Sequence, residues 1–407
     1  MVRAVSVIVG THDVGDPLTE YRFWTGAERH SHFEWTPMCT KESESSPAVV
    51  IDRLDDDDHA AFCEAGRQAF PLAMATLVEP KDINVVAIAD GNIVAGFAAE
   101  LVPLANGDTM GVIRWLFTIP EFQGQGIGAR LARAGFARLR DSGIDYFVTD
   151  IDGDNTSSFR IVESMGAQRV RPWQQLRLLG PRATAVGWWK LGHFFDFGHY
   201  IYAWTRDKEL PDNTTDSARE WSLSLVAGAL IGAVAAWRAG FSVGLVAVIA
   251  VAVIIMRHAI TAGVCRIQGL KTTHRAWESG YGVSLVIALT AAVIFPLPGG
   301  PYPADDQWRA RDEVLRRGIA AFCWVIVLLL IVAGAYVALH FDVLADWRAL
   351  LESIAFVGTA YLLFDAILAT APFSCFHAKR IRDWSLPAWM LMALSAVVVV
   401  FTPVLMG

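Results

Sequence analysis

Val112-Ile113-Arg114-Trp115-Leu116-Phe117-Thr118, followed by Ile119-Pro120-Glu121-Phe122 and then Gln123-Gly124-Gln125-Gly126-Ile127-Gly128-Ala129, is the stretch that decides the fold. The apolar run reads as a strand. From Ala129 to Leu139 the chain reads as an amphipathic helix, with Leu131, Ala134 and Ala137/Arg138 on one face and arginines on the other. Between them lies a glycine-rich turn. Glycines let the backbone turn tightly with its N–H groups free, and a new helix adds the positive end of its dipole. Strand, turn and helix together make a site for a phosphate-bearing ligand.

Three kinds of glycine turn compete for this pattern. A nucleotide P-loop ends in Gly-Lys-Ser/Thr, which Gly128-Ala129-Arg130 does not supply. A dinucleotide fingerprint needs G-x-G-x-x-G, and Gly124-Gln125-Gly126-Ile127-Gly128 has the wrong last interval. The pattern Gln/Arg-x-x-Gly-x-Gly/Ala fits Gln123, Gly126 and Gly128. It resembles the pyrophosphate loop of the Gcn5-related N-acetyltransferase (GNAT) superfamily. A second stretch strengthens the resemblance: Asn155, Ser158 and Gly166 fall in the register of the superfamily's downstream motif, with Val162 where its tyrosine would be and Ala167 in place of its phenylalanine. The resemblance covers residues 48–180 and implies a mixed, mostly antiparallel α/β sheet with flanking helices.

Composition divides the chain. Its 407 residues are 54% hydrophobic, too apolar for one ordinary soluble enzyme, with a mean hydropathy of +0.38. Residues 1–220 hold 21 Lys and Arg against 31 Asp and Glu, while residues 221–407 hold 13 against 10. The change falls at a polar linker, Lys208 to Ser217. An acidic first half gives no encouragement to nucleic-acid binding. Five widely spaced cysteines without a C-x-x-C indicate neither a disulfide framework nor a zinc knuckle. Ala4–Gly10 is apolar but lacks the rest of a signal peptide.

The domains expected are an N-terminal extension (1–47), the GNAT-like domain (48–180), an aromatic segment and linker (181–220), and a membrane domain (221–407). In the extension, Tyr21, Phe23, Trp24, Phe33 and Trp35 stand among His30 and His32, as packing surface or as part of an acceptor pocket. Ala48–Leu54 reads as the first core strand. Asp55–Asp58 then opens a helix through about Leu77, the acids favouring its dipole, so no metal is expected. Ile83–Asp90 and Ile93–Leu101 read as a hairpin turning at Gly91-Asn92. Tyr146–Asp150 is a strand, and Gln168–Leu179 a closing strand region. Residues 181–206 crowd Trp188, Trp189, Phe194, Phe197, Tyr200, Tyr202 and Trp204 into one segment. This reads as either a further core strand or a bilayer interface, with the interface preferred.

The resemblance implies acetyl transfer from acetyl-CoA to an amine. Backbone N–H groups from Gln123, Gly124, Gln125, Gly126, Ile127, Gly128 and Ala129 would hold the pyrophosphate. The strand around Phe117, Thr118 and Ile119 would pair with the pantetheine arm, and Asn155 would contact the cofactor or fix its loop. Direct attack on the thioester needs a base, oxyanion donors and an acid. Glu100, ending a core strand, is the base expected, with Asp150 and Asp152 behind it. Val162 cannot supply the acid.

A span needs about 20 apolar residues. Leu223–Trp237 and Phe241–Met256 suggest a hairpin about Arg238-Ala239-Gly240. Ile319–Leu339, Ser353–Pro372 and Leu386–Leu405 read as further spans, and Tyr281–Phe295 as re-entrant. That arrangement puts the basic clusters Arg257–Arg275, Arg309–Arg317 and Lys379–Arg382 on one side, expected to be cytoplasmic with the first half, in a multi-pass protein of the cell membrane. Arg275–Leu285, Phe295–Gly299 and Phe376–Trp384 resemble prokaryotic members of the site-2-protease family. The zinc motif of that family is absent: His258-Ala259-Ile260-Thr261-Ala262 lacks its Glu and second His, and Phe376-His377-Ala378 stands for Phe-Asp-Gly. The resemblance therefore implies a non-proteolytic scaffold. Asp365, inside a span, is either functional or a buried partner of Arg257 or His258.

Three functions follow. One is a membrane-tethered acetyl-CoA-dependent N-acyltransferase acting on a small amine or a protein. The second is a non-catalytic acetyl-CoA sensor, and the third an acyl transporter using Asp365 and His258.

Overall fold

A computed structural model describes residues 48–70, 72–194, 196–210, 217–296, 299–304, 310–370 and 375–406. The N-terminal extension, with His30 and His32, lies outside the described residues.

The first half runs β1 (Val50–Arg53), α1 (His59–Ala69), α2 (Leu72–Ala75), β2 (Ile83–Ala89), β3 (Asn92–Pro103), β4 (Thr109–Thr118), α3 (Ile127–Asp141), β5 (Tyr146–Asp152), α4 (Thr156–Ser164), β6 (Gln168–Arg169), α5 (Pro172–Leu178), α6 (Pro181–Leu191) and β7 (His199–Thr205). The strands form one sheet in the order β1-β2-β3-β4-β5-β7-β6. Its pairs are antiparallel except β4 with β5. Asp56, Asp57 and Asp58 form a single 3₁₀ turn leading into α1, so the acids sit at a helix entrance as expected. The helix ends sooner than expected, because Phe70 before Pro71 is extended. The hairpin pairs Ala89 with Asn92. Its two turn residues are thus Asp90 (φ 49) and Gly91 (φ 78), one position earlier than expected, since both must take positive φ.

Two expectations are corrected. Gln168–Leu179 is only briefly a strand, and Pro172 starts α5 at a position where proline suits a helix. The aromatic segment 181–206 is core rather than bilayer interface. It supplies α6 and then β7, which pairs with β5 along its whole length from Tyr146↔Thr205 to Asp152↔His199. Both faces of β7 are covered, so the strand reads as a continuous apolar run and masks its period. Its rings stack inward, Phe159 on Tyr202 at 5.3 Å and Phe136 edge-on to Trp204 at 5.4 Å.

Among the described residues the second half is helical apart from one two-stranded antiparallel ribbon, β8 with β9: α7 (Ser217–Ala239), α8 (Val243–Ile267), β8 (Thr272–Arg275), α9 (Ser279–Ala291), β9 (Gly300–Pro303), α10 (Ala310–His340), α11 (Arg348–Leu362) with a π-type turn over Leu363–Ile367, α12 (His377–Trp384) and α13 (Leu386–Met406). Among the described residues, four helices are long and apolar enough to cross a membrane: Ser217–Ala239, Val243–Ile267, Val314–His340 and Ala345–Ile367. The apolar stretches Ser279–Ala291 and Leu386–Phe401 are shorter. The α7–α8 hairpin turns at Gly240, whose φ of +80° only glycine adopts easily. Asp365 is a buried partner of Arg257, with Nε and Nη2 at 2.8 and 3.0 Å. It also accepts from Trp324 Nε1 at 2.8 Å and meets His377 Nδ1 at 3.1 Å.

The halves share a core. Trp277, Phe295, Tyr302, Phe364 and Phe376 of the second half belong to the same apolar cluster as the sheet residues Phe117, Phe147 and Tyr200. Trp277 Nε1 donates to the carbonyl of His199 at 2.9 Å. A buried ion network crosses the same boundary. Arg169 of β6 donates to Glu220 and Glu278 and to the Ala276 carbonyl, each at 2.9 Å. Arg171 reaches Glu220 at 3.3 Å and Glu278 at 3.1 Å.

Candidate functional site

β4 stays paired with β3 as far as Thr118, but its pairing with β5 ends at Val112↔Val148. Beyond that point the two strands splay, leaving the β5-facing edge of Ile113–Thr118 without a partner strand. Phe117 and Thr118 lie on this stretch and Ile119 follows it; all three are buried, and Ile119 N–H is bonded to the Val94 carbonyl on the β3 side.

The glycine turn sits at the open end of the splay. Gly124 and Gly126 have φ of +76° and +74°, and a Cβ on either would meet nothing within 4 Å. Gly126 ends the turn as the N-cap of α3 with no side-chain cap, so the first N–H groups of the helix point outward unsatisfied. Gly128 sits closer, 3.4 Å from Thr118 Oγ1 if it carried a Cβ. Gln123 Nε2 donates to the Thr118 carbonyl at 3.0 Å and Gln125 Nε2 to that of Glu121 at 3.3 Å, clamping the turn against the strand end. The N–H of Gln123 is already bonded to the Pro120 carbonyl at 3.2 Å, which corrects the expectation that it would face the ligand. The N–H row therefore runs from Gly124 to Ala129.

Asn155 caps α4, accepting from Ser158 N–H at 3.0 Å. Its Nδ2 is buried without a hydrogen-bond partner, an orphan donor beside the loop end of β5. Val162 is 2% exposed and packs in the sheet core.

Glu100 pairs across the sheet with Val112, at the vertex of the splay. Its carboxylate holds Lys190 of α6 in a close ion pair. Along β5 the side chains alternate. Tyr146 and Val148 pack with Leu191 on the α6 face, while Phe147 and Ile151 belong to the core on the other side. Asp150 and Asp152 therefore lie on the α6 face with Glu100. Asp150 Oδ2 meets His193 Nδ1 at 3.1 Å, and His193 Nε2 meets Ser279 Oγ at 2.8 Å. Asp152 accepts from the Asp154 N–H at 2.9 Å. Burial works to raise the pKa of Asp154, but Arg317 and Arg380 outweigh it and hold the carboxyl below its ordinary range. Lys190, His193 and Ser279 gave no sign in the sequence, because α6 and β7 hid within the aromatic run and Ser279 lies in the other half of the chain.

Residues 34–167 match the model of the acetyltransferase (GNAT) family. The N-terminal half carries the GNAT fold. Among curated relatives, a mycothiol acetyltransferase of Nocardiopsis dassonvillei is 37% identical over 68 residues, 17% of this chain and 21% of the relative. The chain thus matches about a fifth of that relative's length. The ribosomal-protein-S18-alanine N-acetyltransferase of Escherichia coli is similar in structure at 15% identity, over 40% of this chain and 98% of that one, with a TM-score of 0.29. A GNAT family acetyltransferase of Brucella melitensis, solved in complex with acetyl-CoA, is similar at 16% identity over 41% of this chain and 93% of that one, with a TM-score of 0.28.

Proposed function

We propose that the protein is a membrane-tethered, acetyl-CoA-dependent N-acyltransferase acting on an amine, either a small molecule or a protein. The observation that carries this reading is the uncapped start of α3. It presents a row of free N–H groups at the mouth of a splay between parallel strands, as a pyrophosphate with an extended arm requires. Gly124 to Ala129 would hold the pyrophosphate, the open edge of β4 around Phe117–Ile119 the arm, and Asn155 Nδ2 a further acceptor atom. The thioester supplies the acetyl group when bound. Glu100, at the vertex of the splay, is the proposed base. Lys190 must swing aside for Glu100 to meet the amine. Val162 offers no proton at its position, so the thiolate leaves without that acid.

The acetyl-donor side is proposed to face the cytoplasm. Arg317 and Arg380, from two of the basic clusters, reach Asp154 of the GNAT domain, which supports a topology with those clusters on the domain's own side of the bilayer. The second half is proposed to be a non-proteolytic scaffold, with Asp365 committed to Arg257 and Trp324.

The test uses the full chain in detergent, since Trp277 and Tyr302 complete the core of the sheet. Calorimetric titration of acetyl-CoA should show binding that Gly126→Trp abolishes. Mass spectrometry across an amine panel should then show acetyl transfer that Glu100→Gln slows by about 10² or more. A folded chain that binds no acetyl-CoA would sink the reading. Binding without turnover on any amine would favour the sensor instead.

A further inference from the structure

At the C-terminal end of β5 three side chains meet behind the splay. Asp150 is on β5, Asp196 lies in the turn before β7, and His199 opens β7. One ligand atom of each lies within 4.8 Å of the others. All three residues are buried, with 0%, 7% and 2% exposure. Asp150 Oδ1 and His199 Nδ1 have no hydrogen-bond partner. An unsatisfied buried polar atom costs about 1–3 kcal/mol, and more when charged.

What surrounds the cluster does not supply the missing partners. Asp150 pairs with no Lys or Arg among the described residues; its ionic neighbours are His193 at 3.1 Å and His199 at 3.9 Å. Asp152 adds a further carboxylate, 3.9 Å from His199 Nε2. The cations nearby are engaged elsewhere: Arg317 and Arg380 with Asp154, and Lys379 with Asp383. Asp150 is also held for a purpose. His193 fixes Oδ2, and Ser279 fixes His193 in turn, while Oδ1 is left without a hydrogen-bond partner. Outer hydrogen bonds of this kind orient ligating carboxylates in metal sites. The far side of the cluster is anchored too, through Trp277 on the His199 carbonyl.

We propose that Asp150, Asp196 and His199 form a site for one divalent transition cation, of the zinc or manganese kind. Two carboxylates and an imidazole suit such ions. Three protein oxygens and nitrogens are too few for the all-oxygen shell that calcium takes. The bound ion would satisfy both orphan atoms at once and pin Asp196 and the start of β7 to β5, where the GNAT domain meets the membrane half. A protonated His199 is the rival source of positive charge. The proposal stands on its own and does not depend on acetyl transfer.

The test is metal binding by the full-length protein in detergent. Chelator-treated protein is titrated separately with Zn²⁺, Mn²⁺, Mg²⁺ and Ca²⁺, then desalted for elemental analysis and thermal melting. About one equivalent of Zn²⁺ or Mn²⁺ per chain, with a higher Tm, is expected. His199→Ala and Asp196→Asn should each weaken it by about tenfold or more. Failure to take up either ion at micromolar concentration overturns the proposal and leaves imidazolium as the charge source. Equal uptake by wild type and both variants overturns it as well, because the ion then sits elsewhere. Should the variants not fold, Co²⁺ added to the wild type decides: visible ligand-field bands of nitrogen and oxygen coordination support the site, and their absence removes it.

Discussion

Two regions flanking the open β4–β5 splay are built on opposite principles. The mouth is made of backbone and is continuous in sequence, since Phe117 to Ala129 supply the strand edge, the turn and the helix start. Its glycines have open space around them. The contact beyond β5, where the sheet meets the second half of the chain, is made of buried charged and aromatic side chains from distant parts of the chain. Arg169, Glu220 and Glu278 interlock there, and Asp154 binds Arg317 and Arg380. A backbone site tolerates new side chains structurally and loses ligand; a buried charge network loses the fold.

The largest expected effect tests the contact between the sheet and the second half. Arg169 is buried and bonded to two carboxylates and a carbonyl. Arg169→Met leaves Glu220 and Glu278 facing each other, with Arg171 alone between them. Breaking a buried pair from one side costs about 3–5 kcal/mol, so thermal or denaturant unfolding of the full chain should shift by that much. An unchanged midpoint would show that the halves do not depend on the network.

Glycine substitutions sharpen the same contrast. A Cβ at Gly198 would lie 2.3 Å from Cys375 Cβ, at a φ of +86°. Gly198→Ala should therefore pay about 1–2 kcal/mol for the left-handed backbone and about 1–3 kcal/mol for overpacking. Gly124→Ala has nearly the same φ but nothing within 4 Å, so it should pay the backbone cost alone. Melting the two variants side by side measures the difference; equal losses would mean that Cys375 yields freely.

This asymmetry also sets what can be read from sequence. The glycine turn, the Asn155 register, the acidic helix entrance and the α7–α8 hairpin are local patterns, and each is where its residues indicate. β7 stood only as the less preferred of two readings, because a strand covered on both faces loses its alternation. The ion network and the Asp150–His193–Ser279 chain were hidden because their partners come together only in the tertiary fold. Asp365 lay between these cases. Its cost inside an apolar helix demanded a partner, and Arg257 is one of the two that its residue type allowed.

A pH effect tests the buried side more gently. His274 on β8 stacks on Trp221 at 4.3 Å and meets Ser224 Oγ at 2.9 Å. Burial first, then His258, Arg257 and Arg169, push its pKa down to about 3. The folded chain thus keeps this imidazole neutral, whereas the unfolded chain protonates it below an ordinary value of about 6.5. Its contribution to stability is complete above that value and is lost as pH falls toward 3, at up to about 1.4 kcal/mol per pH unit. Unfolding midpoints between pH 7 and pH 5 should fall in the wild type and flatten in His274→Phe. A slope unchanged by the substitution would assign the acid sensitivity to other groups.

The smallest effect separates structure from ligand within one side chain. Asn155 Oδ1 caps α4 while its Nδ2 stands unpartnered. Asn155→Ala removes both functions and should cost about 1 kcal/mol of stability together with affinity for acetyl-CoA. Asn155→Asp keeps a capping oxygen, places a negative charge favourably at a helix start, and removes the donor. Its stability should match wild type while acetyl-CoA binding weakens, read by melting and calorimetry on the same samples. If Asn155→Asp binds acetyl-CoA as tightly as wild type, Nδ2 does not face the cofactor and Asn155 is a cap alone. The affinity of the mouth would then rest on the backbone of Gly124 to Ala129.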